Sequence, residues 1–263
     1  MALDREHARP GGAFRWRQFP WWLVIMIAMI LATAVLIITK PVYQQIFATI
    51  LTGLGTTLFV TGVSFGCALV TGLILGLGRI SRNIAVRNLA TLYIEFIRGV
   101  PVLVLIFTIA FAIVPALASL IGFPTNAFSF TARAIIALVM IYSAYIAEIF
   151  RAGIESIGRG QMEAARSLGM SNAQAMRTVI LPQAVRNVLP ALGNDLIALL
   201  KDTSLVSVLA VRDITQVSRL SLNTTFLYEE TYLVLTLFYL SMTLLLSLLL
   251  QYVQRWASKG RAA

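Results

Sequence analysis

Charge is scarce in this chain, and acid scarcest of all. Eleven Asp and Glu and twenty-one Lys and Arg make up only 12% of 263 residues, about half the share of a soluble domain. A soluble fold with a charged surface is excluded. There is one cysteine, Cys67, so no disulfide frame exists, and it reads as a small packing residue in an apolar run. The one histidine, His7, sits in a polar tail. No metal site and no set of catalytic side chains can be assembled from so few parts. The chain also lacks a G-x-x-x-x-G-K-[ST] phosphate loop and so cannot hydrolyse ATP.

What is present is long apolar sequence. Crossing a bilayer core takes about 20 apolar helical residues. Runs at Trp21–Thr39, 51–77, 100–121, 132–150 and 232–253 meet that length, and a sixth at 189–211 carries Asp195, Lys201 and Asp202. The expected fold class is an all-α integral membrane protein with about six transmembrane helices. The first run has a basic flank like a signal peptide, but no small-residue cleavage site precedes Lys40-Pro41, so it reads as a retained helix.

Basic residues set the expected orientation. Arg5, Arg9, Arg15 and Arg17 precede the first run; Arg79, Arg82, Arg87 and Arg98 follow the second. Arg151, Arg159, Arg166, Arg177 and Arg186 follow the fourth, and Arg255, Lys259 and Arg261 close the chain. With six spans these groups share one side, the cytoplasm by the positive-inside rule, leaving Lys40, Arg133, Arg212 and Arg219 on the other. Both termini are then cytoplasmic. The net charge of +10 is explained by topology, with anionic membrane lipid as a partner and no need for nucleic acid. In the second run, Gly62-x-x-x-Gly66 and Gly72-x-x-x-Gly76 permit close helix approach.

One segment interrupts this apolar sequence. Between the fourth and fifth runs the chain stays polar for about 35 residues, longer than a usual helix connection. Residues 162–168 form a helix that Gly169 ends by adopting positive φ. Ser171 caps a second helix over 172–181, which Pro182 ends. The elbow either lies on the membrane or inserts Leu168, Met170 and Met176 into a partner's groove; periodicity leaves both open.

The order of its residues resembles a known family. Glu163-Ala164-Ala165-x-x-x-Gly169, nine further residues and Val179-x-Leu181-Pro182 are similar to the EAA loop of ATP-binding cassette (ABC) importer permeases, with Val179 where the family has Ile. Tyr93-Ile-Glu95-Phe-Ile-Arg98-Gly99-Val100-Pro101, Ala147-Glu148-Ile-Phe-Arg151-Ala-Gly153 and Leu200-Lys201-Asp202-Thr203-Ser204-Leu205 resemble the polar amino acid branch (histidine, glutamate, glutamine, arginine, opines), which has Thr where Val100 stands. The resemblance runs from about Leu51 to the C-terminus.

It implies a MetI-like permease core of five helices over 50–256, with the cytoplasmic loop at about 153–188. An extra helix at 21–39 and tails at 1–20 and 257–263 lie outside that core. Glu163, Ala164, Ala165, Gly169 and Met170 would couple to an ATPase. The implied partners are two ABC ATPase subunits that bind ATP and Mg, a second permease (the same chain or a similar one), an extracytoplasmic solute-binding protein and an amino acid. This chain itself binds no cofactor. The implied location is the bacterial cytoplasmic (inner) membrane.

Charges within spans are expensive and mark function. Asp195 and Asp202 lie seven residues apart on one helix face, with Thr203 and Ser204 adjacent. They suit an ammonium group, while Lys201 or Arg98 suits a carboxylate. Glu148 is a further candidate for this substrate path. Structural readings stand beside these: Lys201 pairs with a neighbouring acid, Arg98 and Glu95 anchor at headgroups, and Glu148 pairs with Arg151. In the loop at 212–231, Arg219, Glu229 and Glu230 either steer a binding protein or are merely solvated. The competing class is an ion- or proton-coupled secondary transporter, whose inverted repeats the chain does not show. A non-transporting anchor fits poorly with intramembrane carboxylates.

Overall fold

The computed structural model describes residues 21–259. Of the expected tails at 1–20 and 257–263, residues 1–20 and 260–263, with Arg5, Arg9, Arg15, Arg17 and Arg261, lie outside them. The described residues are helical with no strand: α1 Trp21–Thr39, α2 Pro41–Leu51, α3 Leu54–Arg79, α4 Ile84–Gly99, α5 Val102–Thr108, α6 Val114–Leu120, α7 Phe130–Glu155, α8 Arg159–Ser167, α9 Asn172–Ala175, α10 Leu181–Asp202, α11 Ile214–Thr225 and α12 Tyr228–Lys259. Four stretches are long and apolar enough to cross a bilayer: Pro41–Arg79, Val102–Leu120, Phe130–Glu155 and Tyr228–Arg255. A shorter apolar stretch, Val24–Thr39, lies in α1. The chain is an all-α integral membrane protein.

Helix α7 is the axis of the fold. Its most apolar window is 56% buried, against 17–33% for the other spans, so protein rather than lipid surrounds it. Leu138, Ile141 and Ile146 are fully buried, with Ala134, Ala137, Ala144 and Ala147 between them. Glycines let its neighbours approach. A Cβ on Gly76 of α3 would lie 2.8 Å from the Ala147 carbonyl oxygen, and one on Gly72 would lie 2.6 Å from Ile146 Cγ2. Toward the C-terminal end of α7, a Cβ on Gly153 would lie 2.0 Å from Val188 Cγ1 of α10. Within this chain Gly62 and Gly66 face open space, so of the two expected small-residue pairs only Gly72 and Gly76 pack internally.

Several expected boundaries move. The connection before the second run is helix α2, whose Tyr43, Ile46 and Ile50 pack on Ile214, Val234, Leu235 and Phe238. The polar stretch after Arg79 is mostly helix α4, capped by Asn83, whose Oδ1 accepts from the Ala85 N–H at 2.9 Å. The sixth run is helical only to Asp202. A 3₁₀ segment, Thr203–Leu209, follows, and Ala210 at φ 57° turns the chain. Helix α10 falls outside the four apolar stretches because it carries Asp195, Lys201 and Asp202.

Pro182 does not end the second elbow helix. From Asn172 the chain stays helical to Asp202 through a π turn, Met176–Ile180. A second π turn, Ile109–Ile113, precedes Pro115. In both, the residue before the proline donates five residues back: Val114 to Ile109, and Leu181 to Met176. The widened turn relieves the clash that a proline ring makes with the carbonyl four residues earlier.

Arg133 shows how the N-terminal end of α7 is held. Only 8% exposed, it donates to the carbonyls of Phe128 (3.0 Å), Ala110 (3.2 Å) and Thr125 (2.7 Å). It ties the loop before α7 to the π turn at Ile109–Ile113.

Candidate functional site

Local sequence signals build the elbow. Helix α8 ends in a Schellman motif: the Gly169 N–H donates to the Arg166 carbonyl at 2.9 Å and the Met170 N–H to the Ala165 carbonyl at 3.2 Å. Gly169 takes φ +84°, which a side chain would strain. Ser171 then forms a capping box. Its Oγ accepts from the Gln174 N–H at 3.3 Å, and its own N–H donates to Gln174 Oε1 at 2.9 Å.

Beneath the elbow Ile154, Ile180 and Ala184 cluster with Met162, Met176 and Val179. Glu163, Ala164 and Gly169 are exposed, Met170 is half-buried, and Leu168 is 80% exposed at the tip. Ala165 is buried within the chain, since it lies on the inner face of α8. Met176 likewise turns inward. The surface offered to a partner is thus narrower than the sequence suggests: Glu163, Ala164, Leu168, Gly169 and part of Met170.

The candidate cargo residues divide into two groups. Near the middle of α7, the Tyr142 hydroxyl donates to Asp202 Oδ2 at 2.9 Å. Asp195 is half-buried, lies close enough to Tyr142 to act on its hydroxyl electrostatically, and has a buried Oδ2 without a hydrogen-bond partner. Thr203 is fully buried, and its hydroxyl donates to the Leu200 carbonyl at 2.7 Å, so it faces its own backbone. Ser204 is half-buried. Lys201 is exposed and makes no ion pair among the described residues.

The second group lies toward the other end of α7. Glu148 accepts from Arg79 at 2.7 Å and from Arg151. Arg79 also meets Glu95 of α4 at 2.7 Å, and Arg151 meets Glu155. Arg98 is exposed at the end of α4 and acts on Glu148 electrostatically. The pairing of Glu148 with Arg151 is the structural reading of the sequence; Arg79 as its second partner was not legible there. This network joins α3, α4 and α7 at the ends nearest the elbow.

Two further polar groups escaped the sequence reading. Tyr142 lay inside an apolar run with nothing to separate it from core. Asp213 looked like a loop residue, yet it is fully buried. It caps α11 by accepting from the Gln216 N–H at 2.8 Å, while its Oδ2 has no partner. Burial pushes its carboxyl up to about 6. Its place before a Thr-Gln helix start was the available signal. No cluster of three or more His, Cys, Asp or Glu occurs among the described residues.

Comparisons with known proteins give this arrangement a family. Residues 68–259 match the family described as binding-protein-dependent transport system inner membrane component. The chain is 39% identical over 214 residues to a probable amino-acid permease protein, YxeN, of Bacillus subtilis, covering 81% of this chain and 93% of that one. It is 36% identical over 203 residues to the glutamine transport system permease protein GlnP of Escherichia coli, covering 77% and 90%. Among solved structures, an amino acid ABC transporter crystallised with histidines aligns with TM-score 0.71 at 38% identity, over 79% of this chain and 94% of that one. The MetNI methionine ABC transporter in an inward-facing conformation aligns with TM-score 0.65 at 20% identity, over 80% and 96%, and shares the fold. The chain belongs to the inner membrane components of binding-protein-dependent transport systems, as a permease subunit of the ABC importer family and not an enzyme.

Proposed function

We propose that this permease moves polar amino acids across the bacterial inner membrane by alternating access. It works with a second permease (this chain or a similar one), two ATPase subunits that bind ATP and Mg, and an extracytoplasmic binding protein. Both termini face the cytoplasm in this reading, and the elbow is the coupling element. Glu163, Ala164, Gly169 and Met170 with Leu168 dock on the ATPase, while Ala165 supports them from within. ATP binding draws two such elbows together, the helices rock outward, and the binding protein releases cargo into the cavity. Hydrolysis resets the cycle. The named relatives of this chain support the cargo class.

The observation that carries the cargo path is the half-buried Asp195 carboxylate, with an oxygen lacking a hydrogen-bond partner, on α10, which in this reading crosses the membrane despite its charges. An unpaired carboxylate there is costly unless a ligand uses it. Asp195 receives the cargo ammonium, with Asp202 beside it and Ser204 at the margin. Lys201 is available to the cargo carboxylate. Thr203 shapes the path through the backbone. Arg98 and Glu148 contribute at the inner end of the path, as part of the Arg79 network.

The test is substrate-stimulated ATPase activity of the reconstituted complex. Asp195→Asn should lower the stimulation at least tenfold while the complex still assembles. Stimulation equal to wild type would remove Asp195 from the path. Uptake driven by a proton gradient without ATP would instead support a secondary transporter.

A further inference from the structure

The two carboxylates of α10 are not equivalent, and the difference lies in α7. Asp202 has one oxygen occupied by the Tyr142 hydroxyl at 2.9 Å. Asp195, one face-repeat away, has an oxygen with no partner. Tyr142 is 3% exposed and belongs to the main core cluster, so packing fixes its ring. Its hydroxyl cannot follow a moving ligand. No lysine or arginine pairs with either aspartate among the described residues.

We propose that Tyr142 is a specificity-determining positioning residue: by holding one oxygen of Asp202 it leaves Asp195 as the carboxylate with an unpartnered oxygen, so the site favours cargo with a single positive group. This deepens the cargo path proposed above and rests on it. Every amino acid carries one ammonium group, which Asp195 can take. A second cation, on a lysine or arginine side chain, would need Asp202 as well, and there it must compete with a fixed hydroxyl donor. A hydrogen bond to a charged group is stronger than one between neutral groups. Tyr142 thus disfavours dibasic cargo without touching cargo itself.

Tyr142→Phe removes the donor and keeps the packed ring. Binding of radiolabelled L-arginine and L-glutamine to the purified permease–ATPase complex reads the effect without the binding protein's own selectivity. The ratio of arginine to glutamine affinity should rise about tenfold in Y142F, the factor expected for one lost charge-assisted hydrogen bond. In an Asp202→Asn background the same change should leave the ratio where D202N puts it, because no charge remains to release. A purely structural role for Tyr142 would instead weaken both ligands in proportion and persist in the D202N background. An unchanged ratio in Y142F, or an equal shift in both backgrounds, overturns the proposal. Binding of both ligands undiminished by Asp195→Asn, or no binding to wild type, overturns the cargo path beneath it.

Discussion

Gly53 offers the sharpest test of how tightly the start of α3 packs on the start of α11. It sits at φ −84°, a conformation open to any residue, so its demand is for space alone. A Cβ there would lie 2.6 Å from the Asp213 carbonyl carbon, 2.7 Å from its oxygen and 2.7 Å from the Ile214 nitrogen. All three are backbone atoms and cannot rotate away. Tight contact ends at 3.4 Å, so Gly53→Ala must separate the two segments by 3.4 − 2.6, about 0.8 Å. The Ile214 N–H to Thr57 Oγ1 hydrogen bond, already 3.2 Å long, would stretch to about 4.0 Å, beyond bonding range. Overpacking costs about 1–3 kcal/mol and a lost buried hydrogen bond about 1 kcal/mol, together about 2–4 kcal/mol. Thermal unfolding of the purified chain in detergent should show a fall of several degrees for Gly53→Ala. Gly55→Ala, with nothing within 4 Å of its Cβ, should be neutral or stabilising by up to about 1 kcal/mol. Equal melting temperatures for Gly53→Ala and wild type would refute the reasoning.

Two other perturbations follow from the structure. Gly169→Asp places a side chain at φ +84° on the exposed elbow; it should lower transport per ATP hydrolysed while the membrane helices stay folded, and an unchanged coupling ratio would remove Gly169 from the coupling surface. Asp213 has a folded pKa of about 6 against about 3.9 unfolded. The folded state therefore holds the extra proton between those values, and stability falls as pH rises from about 4 to about 6, by up to about 3 kcal/mol. Asp213→Asn keeps the cap and should flatten that part of the pH–stability curve; a wild-type slope in D213N would place its origin elsewhere.

The sequence revealed what depends on local signals or on length. The span over Phe130–Glu155 follows from apolar length, and the Gly169 and Ser171 turns from cap chemistry. The order of motifs around Glu163 also pointed to the family before any fold was visible. What it hid depends on distant contacts. Helices α2 and α4 read as connections because each is short and only half apolar. Pro182 read as a stop because a π turn leaves no mark on a single sequence. Asp195 and Asp202 read as equals, since only the packing of α7 on α10 delivers the Tyr142 hydroxyl to one of them. Arg79 joined the expected Glu148–Arg151 pair for the same reason: its partner is 69 residues away.

Arg133 alters the electrostatics of orientation. Its guanidinium donates to three carbonyls inside the protein and is nearly buried, so it keeps its charge but makes little direct contact with headgroups or water. A membrane-insertion signal depends on charge that lipid and the translocation machinery can sense. In the topology expected from the sequence, Lys40, Arg212 and Arg219 are the cations opposite the arginine groups that are left to meet headgroups directly. An Arg133→Gln chain would lose a structural tie yet keep its orientation, whereas new cations beside Arg212 would press on orientation without touching the fold.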